Sequence, residues 1–212
     1  MEVKKGDIVR IEYTGRLASN GAIFDTTSAE IAKTAGIFDP SSQYGPKLVV
    51  FGSNSMIPGL EEAIVASKPG QTQDFRIQPE KAFGKRNPDL MRVLSEKEFR
   101  KQQVRLEIGM VVSLDGALAK VKSITSGRVV VDYNHPLAGE IIAYSLKVVE
   151  IISVPKKKAE AILETMGLKD SKVVEKEGRL MVEIGKTADP KKAETAKKTI
   201  IALIPGAELA KV

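Results

Sequence analysis

His135 is the only imidazole in this 212-residue chain, and there is no cysteine. Disulfides, thiolate metal sites, cysteine nucleophiles and a histidine-rich metal centre within one chain are thereby excluded. His135 lies in Asn134-His-Pro136, and no Gly-x-Ser-x-Gly elbow occurs, so the sequence offers no hydrolase triad. Neither glycine pattern that cradles phosphates, Gly-x-x-x-x-Gly-Lys-Ser/Thr or Gly-x-Gly-x-x-Gly, is present. What remains is a set of apolar and aromatic residues at strand ends and on one short helix: Tyr13, Phe24, Met56, Ile57, Leu60, Phe83 and Tyr144, with the acid Asp25 beside Phe24. Such a set can supply a desolvated pocket with a few polar groups at its edge, and needs no cofactor or metal. As a bare pattern it also describes a protein core.

The elements that must position these residues are legible from period and punctuation. Residues 51 to 84 read as strand, turn, short helix, turn, strand. Pro58 suits a first helical turn, Glu61 and Glu62 suit its N-terminal end, and Lys68-Pro69-Gly70 stops the pattern. Alternation at Asp7 to Tyr13 predicts an opening strand that ends at Thr14-Gly15, and Asn20-Gly21 predicts a hairpin ahead of Phe24. Residues 26 to 46 form a long loop with one short helix near Ser28, too long for a passive connection. Residues 85 to 131 change character. A β-meander with turns at Asp115-Gly116 and Ser126-Gly127 marks a self-contained insertion, and Glu140 to Ile152 returns to a long strand. Beyond Val154-Pro155 come a helix stopped by Gly167, two strands joined through Glu177-Gly178, and a helix capped by Asp189. The expected fold class is α+β, an antiparallel sheet wrapped on a short helix, with an inserted small β domain and a C-terminal α+β domain. The expected boundaries are 1–85 with 132–153, 86–131, and 154–212.

The formal charge is +6, and 42% of residues are apolar, enough for a real core. The basic excess lies in 85–131 and 154–212, interspersed with acids and not clustered with aromatics. That is solvated surface, and no nucleic-acid partner is expected. No apolar run approaches a membrane span, and the first residues lead directly into a strand pattern, so a cytoplasmic protein without membrane attachment is expected.

Four motifs in order carry more than the bare pattern does. Val9-Arg-Ile-Glu-Tyr13-Thr-Gly15, Gly21-Ala-Ile-Phe24-Asp25, Phe51-Gly52 through Met56-Ile-Pro-Gly-Leu-Glu-Glu62, and Ala82-Phe83-Gly84 resemble the FKBP-type peptidyl-prolyl cis-trans isomerases in order and interval. Asn134-His-Pro-Leu-Ala-Gly139 after a β-rich insertion resembles the SlyD-like branch, whose insert-in-flap domain is a chaperone, and the extra C-terminal unit is most similar to the long-type archaeal members. The resemblance covers residues 1 to 152. It implies catalytic roles for Tyr13, Asp25, Ile57 and Phe83, and substrate contacts from Phe24, Met56, Leu60, Leu137 and Tyr144. It implies a chaperone surface on the insert, for which Leu90, Met91, Val93, Leu94 and Phe99 are the candidates. Leu60 stands where many relatives have tryptophan and Phe83 where many have tyrosine, which implies a differently shaped floor and one fewer donor. Phe38 and Tyr44 are the candidates for the aromatic supplied by the long loop. The implied partners are unfolded or partly folded polypeptides containing X-Pro bonds, with homo-oligomerisation through the C-terminal domain left open. A non-catalytic module binding proline-containing segments is the alternative.

Overall fold

The structure is a computed structural model describing residues 3–53, 55–101, 105–114, 116–176, 179–185 and 188–209. In chain order its elements are β1 (Ile8–Leu17), β2 (Ile23–Thr26), α1 (Ala29–Thr34), β3 (Lys47–Val50), α2 (Pro58–Ala66), β4 (Thr72–Ile77), β5 (Met91–Ser95), α3 (Glu96–Lys101), β6 (Val111–Leu114), β7 (Ala117–Thr125), β8 (Arg128–Asp132), β9 (Ile142–Ile152), α4 (Pro155–Thr165), β10 (Lys172–Lys176), β11 (Arg179–Glu183), α5 (Pro190–Leu203) and β12 (Glu208–Leu209). The chain packs as two compact units, one formed by the segments up to Ile77 and from Ile142, the other by Gln78–Ile141. The fold is α+β as expected. The turns expected at Asp115 and Glu177-Gly178 lie outside the described residues.

In the first unit β1 is the central strand. One edge pairs antiparallel with β9 over its whole length. The other edge is shared, with β3 opposite Ile8 to Ile11 and β2 opposite Thr14 to Arg16. β4 lies on the far side of β9, with Ile77 paired to Ile142. Val9, Ile11 and Tyr13 alternate onto one buried face, as period two requires. α2 packs on β9 and β4 and buries Gly59, Leu60, Ala63 and Ile64. Its start at Pro58 follows from a ring with its φ already helical and no N–H to lose.

β1 does not end at Tyr13. It runs through Thr14-Gly15 to Leu17, with an irregularity between Gly15 and Arg16. Gly15 does not break the strand here. It makes room, because a Cβ at this position would stand 2.8 Å from Phe24 Cζ and 2.9 Å from Tyr144 Cε1.

The C-terminal segment adds a three-stranded sheet, β10-β11-β12, in which β12 runs parallel to β11. α4 and α5 cover it. Its core, from Ala159, Ile162, Leu163, Leu168, Val182, Ala196 and Ile200, is continuous with Ile8 and Ile152. The join is also polar. Lys158 Nζ donates to the Gly6 carbonyl at 2.7 Å and stands 3.0 Å from Asp7 Oδ1. Asp7 is buried, and the Lys4 N–H donates to its Oδ2 at 2.9 Å.

The second unit has its own sheet, ordered β5-β8-β7-β6. Phe99, Val112, Ala119, Val121, Val129 and Val131 form its core. Asp132 is buried there, paired to Arg86 and accepting from the Asn134 N–H and Nδ2.

Burial pushes the Asp7 carboxyl up, but hydrogen bonds from Lys4, Lys158 and Ser153 and the Lys158 charge outweigh it and hold it below the usual carboxylate value. A depressed folded-state pKa contributes stability that is present above the unfolded value of about 3.9 and is lost as pH falls through the folded one. Thermal unfolding followed between pH 7 and pH 2 should therefore show Asp7→Asn losing part of the acid dependence of the native chain below about pH 4. Lys158→Met, which strands the buried carboxylate, should cost about 3 kcal/mol near neutral pH. Equal acid profiles for the native chain and Asp7→Asn would show that Asp7 titrates alike in the folded and unfolded chain.

Candidate functional site

The two strands that share one edge of β1 leave a gap between them. β3 ends its pairing opposite Ile11 and β2 begins opposite Thr14, so the main chain of Tyr13 meets no strand there. Thr27 fills the gap. The Tyr13 N–H donates to Thr27 Oγ1 at 2.9 Å, and the Tyr13 carbonyl accepts from the Thr27 N–H at 2.9 Å. The Thr26 and Thr27 hydroxyls donate to the same carbonyl at 3.2 Å. Both threonines are buried, so these bonds replace a missing ladder and are not decoration on a wet surface.

Fixed in this way, Tyr13 reaches across to the next strand, where its hydroxyl donates to Asp25 Oδ2 at 2.8 Å. Tyr144, on β9, meets the Tyr13 ring edge-on at 5.7 Å and the Phe24 ring edge-on at 6.0 Å. These are favourable aromatic geometries, and they close over the bare Gly15. Burial, and then the Asp25 carboxylate that accepts its proton, push the Tyr13 phenol far above its ordinary range. Burial and then the Asp25 charge do the same to Tyr144. Both phenols stay protonated at any physiological pH.

Tyr13, Phe24 and Asp25 line a cleft of about 780 Å³. Its other walls come from the long loop, through Ile37, Asp39, Tyr44 and Lys47, from Arg10 and Leu48, and from Glu164 to Lys169 of the C-terminal segment. Phe38 and Tyr44 stack at 5.2 Å, and the Tyr44 hydroxyl accepts from the Asp39 N–H at 3.0 Å. Of the two loop candidates Tyr44 lines the cleft and Phe38 braces it.

The other expected residues fall in several places. Leu60 is buried under the sheet, at 5% exposure. Met56 and Ile57 are half-buried ahead of α2, and neither lines the cleft. The Ile57 carbonyl accepts from the Leu60 N–H, while its own N–H has no partner among the described residues. Phe83 and Leu137 belong to the second unit, where Phe83 stacks on His135 at 4.6 Å with the rings parallel. On the insert, Leu90, Met91 and Val93 are exposed, Val93 by 62%. Phe99 is not. At 3% exposure it closes the insert's own core, with Leu94 packed half-buried against it. Phe99 is therefore corrected from surface to core. It sits on the short helix α3 with its ring in the core of the insert's sheet. Sequence reasoning also missed Thr27, Gly15 and the C-terminal wall. Gly15 was read as the end of a strand and not as a close approach inside one, whereas the wall depends on pairing no local signal encodes.

The family model described as FKBP-type peptidyl-prolyl cis-trans isomerase matches residues 1–100, and one described as FKBP26, IF domain, matches residues 92–137. The short-type peptidyl-prolyl cis-trans isomerase of Methanocaldococcus jannaschii is 32% identical over 70% of this chain and 94% of its own length. The FKBP-type 16 kDa isomerase of Escherichia coli K12 is 32% identical over 70% of this chain and 93% of its own. The isomerase SlyD of Helicobacter pylori J99 is 30% identical over 54% of this chain and 64% of its own. The chain belongs to the FKBP-type peptidyl-prolyl cis-trans isomerase family, in its branch with an inserted IF domain. Among the described residues no helix is long and apolar enough to cross a membrane.

Two substitutions test the scaffold of the cleft. Thr27→Val keeps the shape but strands the Tyr13 N–H, and should lower stability by about 1–3 kcal/mol in urea unfolding. Gly15→Ala should displace the Phe24 and Tyr144 rings and lower isomerase kcat/KM by 10- to 100-fold, on the order expected when reacting groups move by about 1 Å. An unchanged kcat/KM for Gly15→Ala would separate the aromatic cluster from catalysis.

Proposed function

We propose that the chain accelerates cis-trans isomerisation of X-Pro bonds in unfolded or partly folded polypeptides, without covalent chemistry, and that its insert holds those polypeptides while it does so. The observation that carries this reading is the Tyr13, Phe24 and Tyr144 cluster over Gly15, with Asp25 held at its edge and an open cleft in front of it.

Turning an amide through 90° removes its resonance at a cost of about 18–20 kcal/mol, and an X-Pro bond left to itself takes tens to hundreds of seconds. The twisted amide is less charge-separated than the planar one. Moving it from water to an apolar surface therefore costs less than moving the ground state, and that difference lowers the barrier. In this chain Tyr13 and Phe24 line the cleft and supply the apolar surface, with the buried Tyr144 packed against their rings. The Ile57 N–H, without a partner among the described residues but outside the cleft lining, enters the proposal through its place in the family motif as the donor to the carbonyl before the proline. Asp25, its lone pairs oriented by the Tyr13 hydroxyl, sets the polarity at the rim. Met56, Leu60 and, in the second unit, Phe83 and Leu137 enter the proposal through their places in the family motifs. Lowering the barrier by about 5–7 kcal/mol corresponds to four to five decades in rate.

The insert contributes differently. Leu90, Met91 and Val93 stand exposed on it, and the same unit also exposes Ile108, Val111 and Leu118. Unfolded chains offer apolar side chains of every shape, and a surface that includes Met adapts to them. A held client keeps presenting its prolines, which raises their local concentration without altering the pocket.

A protease-coupled assay on a proline tetrapeptide tests the catalytic half. Asp25→Ala and Phe83→Ala should each lower kcat/KM about ten-fold or more while Tm moves by only about 3 °C. The rate should be flat between about pH 6 and pH 9, because no step transfers a proton and the phenols remain protonated. No acceleration above buffer would leave the non-catalytic binding module as the better account. Exchanging residues 86–131 for a short glycine-containing turn should spare the tetrapeptide and sharply reduce catalysis of proline-limited refolding. Equal losses on both substrates would place the insert in the catalytic pocket.

A further inference from the structure

The cleft has a wall that the isomerase reading does not use. Glu164, Thr165, Gly167 and Lys169, at the corner between α4 and β10, face the same space as Tyr13, Phe24 and Asp25. This corner is fixed. The Gly167 N–H donates to the Glu164 carbonyl and the Leu168 N–H to the Leu163 carbonyl, each at 2.9 Å, the paired closure that ends a helix on a residue with positive φ. Gly167 has φ +72°, and Leu168 is buried in the C-terminal core. Arg10, on β1, ties it to the sheet through Glu164 Oε2 at 3.1 Å.

The charges lining the cleft are unequally engaged. Asp25 accepts from Tyr13. Asp39 accepts from the Ser41 N–H and from the Ser41 and Ser42 hydroxyls. Glu164 is taken by Arg10, which also stands 3.8 Å from Glu150. Lys47, on β3, and Lys169, in the turn between α4 and β10, form no ion pair among the described residues and are exposed. Asp25 and Asp39 keep their charge behind neutral donors and Glu164 is ion-paired to Arg10, so Lys47 and Lys169 are the charged lining side chains with neither an ion pair nor a hydrogen bond among the described residues.

Resting on the isomerase reading, we infer that Lys169 and Lys47 determine specificity, favouring X-Pro segments with acidic side chains beside the proline and making the C-terminal segment part of the substrate site. Each contact is a partly screened pair on mobile stems, so the preference is modest and salt-sensitive.

The test uses capped octapeptides with one Leu-Pro bond, flanked by Glu, by Gln or by Lys, with isomerisation followed by NMR exchange. The native chain should prefer the Glu peptide over the Lys peptide by about five-fold in kcat/KM at low salt, mostly through KM, the ratio falling towards one at about 0.5 M salt. Lys47→Glu/Lys169→Glu should reverse the order. Because the ratio between peptides is read, a smaller folded fraction does not mimic the effect. Equal treatment of the Glu and Lys peptides by the native chain, or an unreversed order in the double variant, overturns the inference. If no peptide is accelerated, the isomerase reading fails on its own, and the affinities of the same three peptides decide between an acidic preference and none.

Discussion

Two short strands, β2 and β3, divide one edge of β1 between them, and the break falls at Tyr13. A strand edge cannot be left unpaired in a buried place, so the main chain of Tyr13 must be satisfied by something other than a strand. Thr26 and Thr27 do this with two hydroxyls and an amide. Everything chemical in the first unit hangs on that repair. It fixes the ring that donates to Asp25, and it sends the chain away from the sheet into the long loop whose return supplies Tyr44 and Lys47 to the cleft. A continuous third strand would pair the edge fully and leave no opening beside Tyr13.

The C-terminal segment is held to this arrangement by packing and by charge. Ile8 and Ile152, at facing ends of β1 and β9, are members of its core, so the sheet and the segment share buried surface. The Asp7 and Lys158 pair adds direction to that contact. Apolar packing would tolerate sliding, whereas a buried carboxylate accepts its ammonium in one place. The Arg10 to Glu164 contact lies further along the same strand and the same helix, and keeps the corner of α4 over the cleft.

Local signals were enough for most elements and for the order of the site motifs. Pro58 set the start of α2, Asn20-Gly21 the first turn and Asp189 the cap of α5, because each acts on the main chain within a few residues of itself. The strand ending expected at Thr14-Gly15 did not occur, since Gly15 is paired on both sides, to Asp25 of β2 and to Tyr144 of β9, and the second of these lies far along the chain. β5 and β12 were not legible, the first because it owes its pairing to β8 and the second because a two-residue parallel strand has no period to detect. Phe99 is the instructive case. An aromatic in a charged helix reads as a surface anchor until the sheet beneath it is known. The candidate site was legible as a set of residue types in order. Which of them share a cleft was not, because that is decided by pairings between β1, β2 and β9.

Ile77 and Ile142 are direct partners across β4 and β9, so the whole of Gln78–Ile141 is, for the first unit, the loop of one hairpin. Within that loop the Gly139 N–H donates to the Gly84 carbonyl at 2.8 Å. Once the second unit has folded, its two ends meet there, and the segment still to be closed is roughly eight times shorter than the full insertion. Closure entropy grows by about 0.6 kcal/mol for each doubling of loop length, so early folding of the insert lowers the cost of starting the β4–β9 pairing by about 2 kcal/mol. An insert that folds first would thus act on its own chain as a folding clamp. It would convert a distant strand pairing into a near-local one, so that the β4–β9 ladder could close at the pace of a short hairpin.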